Sequence, residues 1–86
     1  MAREHPEKRV NTIAPLRLDV RPFHERGEEP FDAIMASVGS LAPGQAFLLI
    51  NSFKPTPLLR VLDKRGFDAS CEEKTKDEWH VLFTPR

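Results

Sequence analysis

The sequence predicts an α/β two-layer sandwich of order βαβαββ, in which a four-stranded mixed sheet carries two helices on one face. Apolar and polar residues alternate in three segments, as in strands whose two faces differ. Apolar residues at helical spacing follow a proline in two further segments. The predicted strands cover residues 16–20, 46–50, 67–72 and 79–83, and the predicted helices cover 30–39 and 57–64. Right-handed βαβ crossovers are expected to place both helices on the same face.

The first strand and the first helix have clear boundaries in the sequence. Leu16, Leu18 and Val20 alternate with polar residues, and Pro22 ends this strand. Pro30 suits the first position of a helix, because its backbone angle is already helical. Phe31, Ile34, Met35, Val38 and Leu41 then form an apolar stripe, and Gly39 marks the expected end of the helix.

Turn residues separate the remaining elements. Pro43-Gly44 fits the centre of a type II turn, and the segment that follows, 46–50, is apolar without interruption, which is typical of a central strand. Thr56 is the expected cap of the second helix, and Gly66 follows its end. The last two strands alternate and are expected to be joined by a turn at 75–77.

Composition and charge limit the class of protein. Eighty-six residues suffice for one small domain, since a division would leave each half too short to close a core. Thirteen basic and 13 acidic side chains give a formal net charge of zero, which argues against a field that attracts nucleic acid or anionic lipid. The single cysteine excludes an internal disulfide, and no run of about 18 apolar residues is present to cross a membrane.

The N-terminal segment is charged and has few apolar side chains. It lacks the apolar stretch of a secretion signal, so a cytoplasmic location is expected. We predict a flexible tail at residues 1–13 and a single domain at residues 14–86.

Four short motifs occur in the order of the predicted elements. They are Leu18-Asp19-Val20-Arg21, Leu41-Ala42-Pro43-Gly44, Pro55-Thr56-Pro57-Leu58 and Glu78-Trp79-His80-Val81. With these motifs, residues 16–84 resemble the TusA/SirA-like superfamily, and within it a bacterial family catalogued as a domain of unknown function. The resemblance implies a mixed four-stranded sheet with two helices packed on one face.

The resemblance does not extend to sulfur transfer. TusA-like sulfur carriers hold a persulfide on a cysteine at the start of the first helix, where the helix dipole favours the thiolate. The corresponding position here is Glu25, and a carboxylate cannot carry sulfane sulfur. A sulfur-transfer or redox protein that uses Cys71 is the alternative from the enzyme class. Cys71 shares a strand face with Phe67 and Ala69, which favours a small buried core residue instead.

The related bacterial family also differs from this chain in two polar segments. Its asparagine-aspartate-histidine-aspartate-proline run reads Asn51-Ser52-Phe53-Lys54-Pro55 here, so only the asparagine and the proline match. Its arginine-histidine pair before the first helix is altered, since Gly27 follows Glu25-Arg26. Related domains are joined to, or encoded beside, hemerythrin-like or other metal-binding modules. This association implies an accessory role in redox or nitrogen metabolism.

Polar side chains gather before the first predicted helix. Arg21, His24, Glu25 and Arg26 form this candidate loop site. A histidine here suits acid–base chemistry or metal binding, but no second histidine or cysteine lies two to four residues away. We therefore interpret His24 as a solvated loop residue, and we expect no catalytic residue, no metal and no cofactor.

The second predicted helix has a modest basic face. Lys54, Arg60 and Lys64 form it, and such a face is able to bind RNA phosphates or an acidic partner. Because the net charge is zero and no aromatic stacking platform accompanies these residues, we favour a solvated helix face. An RNA-binding domain is the second alternative, and nucleic acid is not an expected partner.

The sheet face that the helices leave open is predicted to be apolar. If Phe47, Leu49, Val81 and Phe83 point toward the helices, then Leu48, Ile50 and Leu82 point away from them. Contiguous exposed apolar surface usually marks a partner site. We expect a protein partner or a homodimer about a two-fold axis at this face, and an Ile50→Asp variant that folds but associates less. The sequence thus favours a non-catalytic interaction or accessory module.

Overall fold

The alternating segments of the sequence form the four strands of one sheet. A computed structural model describes residues 13–86, so the predicted tail lies outside the described residues except for Ile13. The elements are β1 (Leu16–Asp19), α1 (Arg21–Glu25), α2 (Phe31–Gly39), β2 (Phe47–Asn51), α3 (Thr56–Lys64), β3 (Phe67–Thr75) and β4 (Glu78–Pro85). The α/β class and the βαβαββ order are confirmed, with α1 as an additional short helix.

The sheet is mixed and has the order β1-β2-β4-β3. β1 and β2 run parallel, while β4 is antiparallel to both β2 and β3. Leu49 lies opposite Leu18 on one side and opposite Val81 on the other. Since register partners share a face, the apolar residues of three strands line up on one side of the sheet.

The hydrophobic core lies on this side. Its buried residues come from the strands and from the two longer helices, and they are Val20, Ile34, Phe47, Leu49, Leu58, Leu62, Val81 and Phe83. Ile34 belongs to α2 and Leu62 to α3, so both helices pack on the same face of the sheet. The inward assignment of Phe47, Leu49, Val81 and Phe83 is therefore confirmed.

The short helix α1 was not predicted. Pro22 lies in its first turn, where a proline needs no hydrogen-bond partner for its nitrogen, and Asp19 Oδ1 accepts the backbone N–H of Arg21 at 3.0 Å. The chain leaves α1 through Gly27, whose φ of +72° strains any other residue. The sequence predicts a loop after the first strand, starting at Pro22. In the structure, Pro22 lies in the first turn of a helix instead.

The other predicted boundaries differ from the structure by a residue or two. Pro30 is the cap of α2 rather than its first residue. α3 begins at Thr56, so Thr56 is not its cap and the predicted first residue, Pro57, is its second. Gly44 has a φ of +78°, and Gln45 N donates to Ala42 O at 2.9 Å, as the predicted turn requires. None of the helices within residues 13–86 is long and apolar enough to cross a membrane.

Candidate functional site

A cleft of about 490 Å³ opens between α2 and α3, at the carboxyl ends of the parallel strands β1 and β2. Val20 lies directly after β1, and Asn51 is the last residue of β2. Ligands of α/β proteins commonly bind at this edge of the sheet, because the loops that follow the strands converge there. Most of the lining is apolar, and it includes Pro30, Pro55 and Pro57.

A hydrogen-bonded pair, the buried Asn51 and the half-buried His24, lies in the wall of the cleft. Asn51 is only 3% exposed, and its Nδ2 donates to Phe53 O at 3.0 Å. This bond orients the amide so that Oδ1 lies 2.8 Å from His24 Nε2. Because Oδ1 only accepts, Nε2 must carry a hydrogen, and a neutral imidazole then has Nδ1 as a hydrogen-bond acceptor.

The rim of the cleft is aromatic. Phe31 and Phe53 line it, and they are 43% and 51% exposed. The rings of His24 and Phe53 are 5.1 Å apart between centroids, with an angle of 51° between their planes. Large apolar side chains that remain exposed beside a concave surface provide contact area for a bound group.

The structure divides the predicted loop site. His24 lines the cleft, is half-buried and forms a hydrogen bond with Asn51. Its interpretation as a solvated loop residue is therefore wrong. Arg21 and Glu25 line a second, more polar cavity of about 420 Å³. Arg26 pairs with Glu28 at 2.9 Å and lies over the ring of Phe23, 5.2 Å from its centroid. The candidate loop site of Arg21, His24, Glu25 and Arg26 is therefore not one constellation.

A chain of two ion pairs and one hydrogen bond crosses the sheet face that carries no helix. Arg21 bonds to Asp19 at 2.7 Å and to Glu78 at 3.3 Å, and Glu78 also bonds to His80 at 2.7 Å. Asp19 belongs to β1 and Glu78 to β4, with β2 between them. The chain Asp19–Arg21–Glu78–His80 therefore spans the middle strand, and we call it the polar strap.

The polar strap changes the interpretation of the open face. Ile50 lies in register between Asp19 and His80 on that face, as predicted, yet it is 0% exposed. The expectation that Ile50 needs a partner to cover it is wrong, because Ile50 is already buried within the chain. Its register partners, Asp19 and His80, are the two ends of the polar strap. Leu48 and Leu82 remain half-buried on this face.

The polar strap should make stability depend on pH in the acid range. The hydrogen bond from Arg21 lowers the pKa of Asp19 below 3.8, and the hydrogen bond from His80 lowers the pKa of Glu78 below 4.5. Carboxylates with a lowered pKa in the folded state stabilise it above their unfolded pKa values. We expect the free energy of unfolding to begin falling near these two values and to keep falling as the pH drops through the lower folded pKa values.

Urea unfolding at several pH values between 6 and about 2.5 tests this expectation. Arg21→Gln should lower the free energy of unfolding at neutral pH, because Asp19 and Glu78 lose the cation they share. For the same reason, the free energy of unfolding should change less between pH 6 and about 2.5. Lys74→Gln is the matched control, since it removes the exposed pair of Lys74 with Glu72. An unchanged pH profile in Arg21→Gln would contradict the assignment.

Cys71 and the predicted basic face lie away from the cleft. Cys71 packs against the core, but it is half-buried rather than buried as predicted, because β3 is an edge strand. Lys54, Arg60 and Lys64 are all exposed. Within residues 13–86, no three His, Cys, Asp or Glu side chains gather closely enough to hold a metal ion.

Sequence reasoning missed the residues that give the cleft its character. Asn51 ends an otherwise apolar strand, and a lone polar residue in a central strand is a signal that it makes a specific hydrogen bond. Phe53 is an aromatic residue in a short polar loop, which is a signal for an exposed contact. Nothing in the local sequence pairs His24 with Asn51, which lies 27 residues later.

These observations define a small α/β sheet domain whose largely apolar cleft contains a histidine bonded to a buried asparagine. Residues 17–85 match the family described as "Uncharacterized conserved protein (DUF2249)". The match spans most of the chain, and the protein belongs to this family. Comparisons with curated proteins and with solved structures give no match.

Proposed function

We propose that this domain is a non-catalytic binding module and that the cleft between α2 and α3 holds an apolar group of its ligand. The cleft carries the proposal, since its volume of about 490 Å³ lies within the roughly 300–1,000 Å³ typical of ligand pockets. The motif resemblance supports a TusA-like assignment and a setting in bacterial redox, sulfur or nitrogen metabolism in the cytoplasm.

The composition of the cleft favours binding over catalysis. The hydrogen bond of His24 to Asn51 is the kind of contact that orients a catalytic base. However, among residues 13–86 the lining of the cleft includes no serine, threonine, cysteine or lysine to act as a nucleophile. Cys71 lies on β3, at the sheet edge opposite β1, so a sulfur-transfer function would have to work without this histidine.

Other surfaces offer weaker support for a partner. Leu48 and Leu82 are partly exposed on the open face and could contact a protein partner or a second copy. Ile50, on the same face, is buried and adds no apolar surface for such a contact. The exposed basic face of Lys54, Arg60 and Lys64 has no neighbouring aromatic platform for RNA bases on the helix itself. The cleft combines a concave shape with exposed aromatic rings, which neither of these surfaces does.

A titration with a small neutral aromatic compound tests the proposal. We expect 2-phenylethanol to shift the backbone NMR signals of residues around the cleft, including Asn51, Phe53 and Val61. Phe53→Ala should weaken binding about threefold or more, because the compound loses an aromatic contact. Phe53 is half-exposed, so this variant should stay folded.

Leu82→Ala is the matched control, because Leu82 lies on the open face and should not affect binding in the cleft. If the NMR signals of Leu48 and Leu82 shifted most, the compound would bind the open face and the proposal for the cleft would be wrong. No shift at either place would contradict a binding function for the cleft.

A further inference from the structure

We propose that the cleft selects an organic amine cation, a protonated amine attached to an apolar or aromatic body, and that Glu29 provides the selectivity. This inference rests on the proposed binding function and names the chemical class of the ligand. Three features of the cleft support it: its charge, its free acceptor and its aromatic rim.

The formal side-chain charge of the cleft is negative. Among residues 13–86, Glu29 lines the cleft and no lysine or arginine does. Glu29 Oε1 accepts the backbone N–H of Phe31 at 3.0 Å, but no cationic side chain within residues 13–86 pairs with this carboxylate. The adjacent Glu28 differs, since Arg26 neutralises it at 2.9 Å. Glu29 is therefore the carboxylate that a cation in the cleft would meet.

The hydrogen-bonding capacity of the cleft also favours a donor. With Nε2 committed to Asn51, His24 offers Nδ1 as an acceptor, and no group in residues 13–86 donates to it. An ammonium group has three N–H donors and no acceptor, so it suits a lining that contains the Glu29 carboxylate and an imidazole with a free acceptor.

The aromatic rim supplies the third feature. Phe31 and Phe53 expose about half of their surface beside the cleft. Phenyl faces attract cations and also bury apolar groups, so they suit both parts of an amine with an apolar body. An anionic ligand such as a fatty acid would contact the same rings, but its charge would lie near the Glu29 carboxylate. The described lining has no cationic side chain to pair with that ligand. Charge complementarity thus selects the amine.

The test compares three compounds that share one phenyl ring. They are 2-phenylethylamine, 2-phenylethanol and 3-phenylpropanoate, which are cationic, neutral and anionic at neutral pH. Backbone NMR titrations in low salt give their dissociation constants and map their contacts. We expect the amine to bind about fivefold or more tightly than the alcohol, and the carboxylate to bind least. Added salt should reduce the preference, because Glu29 is exposed.

Two variants separate the role of Glu29 from general charge. Glu29→Gln keeps an oxygen to accept the N–H of Phe31 but removes the charge, so the preference for the amine should fall to about twofold or less. Glu28→Gln removes the neighbouring charge outside the cleft and should keep the preference. An amine preference that survives Glu29→Gln would overturn the role of Glu29.

The outcomes also distinguish this inference from the proposed function. Equal binding of amine and alcohol, or a preference for the carboxylate, would overturn the amine selectivity and leave the cleft as a site for apolar groups. If none of the three compounds shifted the signals of cleft residues, both the selectivity and the binding function would be overturned.

Discussion

Replacing Ile50 with aspartate is expected to unfold this protein. Ile50 is completely buried beneath the polar strap, although it lies on the sheet face without helices. An aspartate there would place a charge in a site without water and beside Asp19, its register partner on β1. Burying this carboxylate costs about 4 kcal/mol or more, because the nearby Arg21 guanidinium is already shared by Asp19 and Glu78. A domain of this size has only about 5 kcal/mol of stability to lose, near the lower end of the usual range.

Circular dichroism and urea unfolding measure this effect, and Leu48→Asp is the matched control. Leu48 lies two residues away on the same face, is half-buried and has Arg17 as its register partner. The new carboxylate at position 48 stays near water and near a cation, so that variant should lose only about 1–2 kcal/mol and remain folded. An Ile50→Asp protein as stable as the wild type would show that the polar strap opens easily.

Truncation of Phe83 is expected to have the second largest effect. Phe83 is fully buried in β4 and stacks against Phe47, with 6.0 Å between ring centroids and 18° between ring planes. Its partner on the other side is Ala69, which is too small to fill the space that Phe83→Ala would leave. Such a cavity costs about 3–5 kcal/mol, most of the stability of the domain.

The midpoint of urea unfolding tests this prediction. Phe83→Leu should lose roughly 1–2 kcal/mol, since leucine fills most of the cavity. Phe53→Ala is the control for the loss of a phenyl ring, because Phe53 is half-exposed at the cleft and should change stability by about 1 kcal/mol or less. If Phe83→Ala cost no more than Phe53→Ala, the stacked pair would not be a centre of the core.

The secondary structure was largely predictable, because it follows from short-range patterns. Alternation with period two identified the face of β4 that holds Val81 and Phe83, and both are buried in the core. Proline and glycine marked the ends of the elements, although Pro22 begins α1 instead of a loop. Such signals depend on backbone angles of single residues, so they are readable without tertiary contacts.

The candidate site was predictable only in part. His24 was selected as a polar residue in a loop, but its partner Asn51 lies in another strand, and the two meet only when β1 and β2 pair in parallel. No local sequence pattern around Phe53 or Glu29 indicates that both residues line one cleft. Arg21 and Glu25 are close to His24 in sequence and still line a different cavity. Proximity along the chain is a weak guide to a site, because turns direct neighbouring side chains to different sides of the sheet.

The open face separates most clearly what each level of structure determines. The sequence by itself determined that Ile50 faces away from the helices, because successive side chains of a strand alternate between its two faces. Only the tertiary structure decided that Ile50 is buried, because Arg21 of α1 joins Asp19 on β1 to Glu78 on β4 across the strand that holds Ile50. Periodicity specifies a direction within one strand. Burial depends on which distant side chains meet over that strand, and long charged side chains cover apolar surface when their charges are paired.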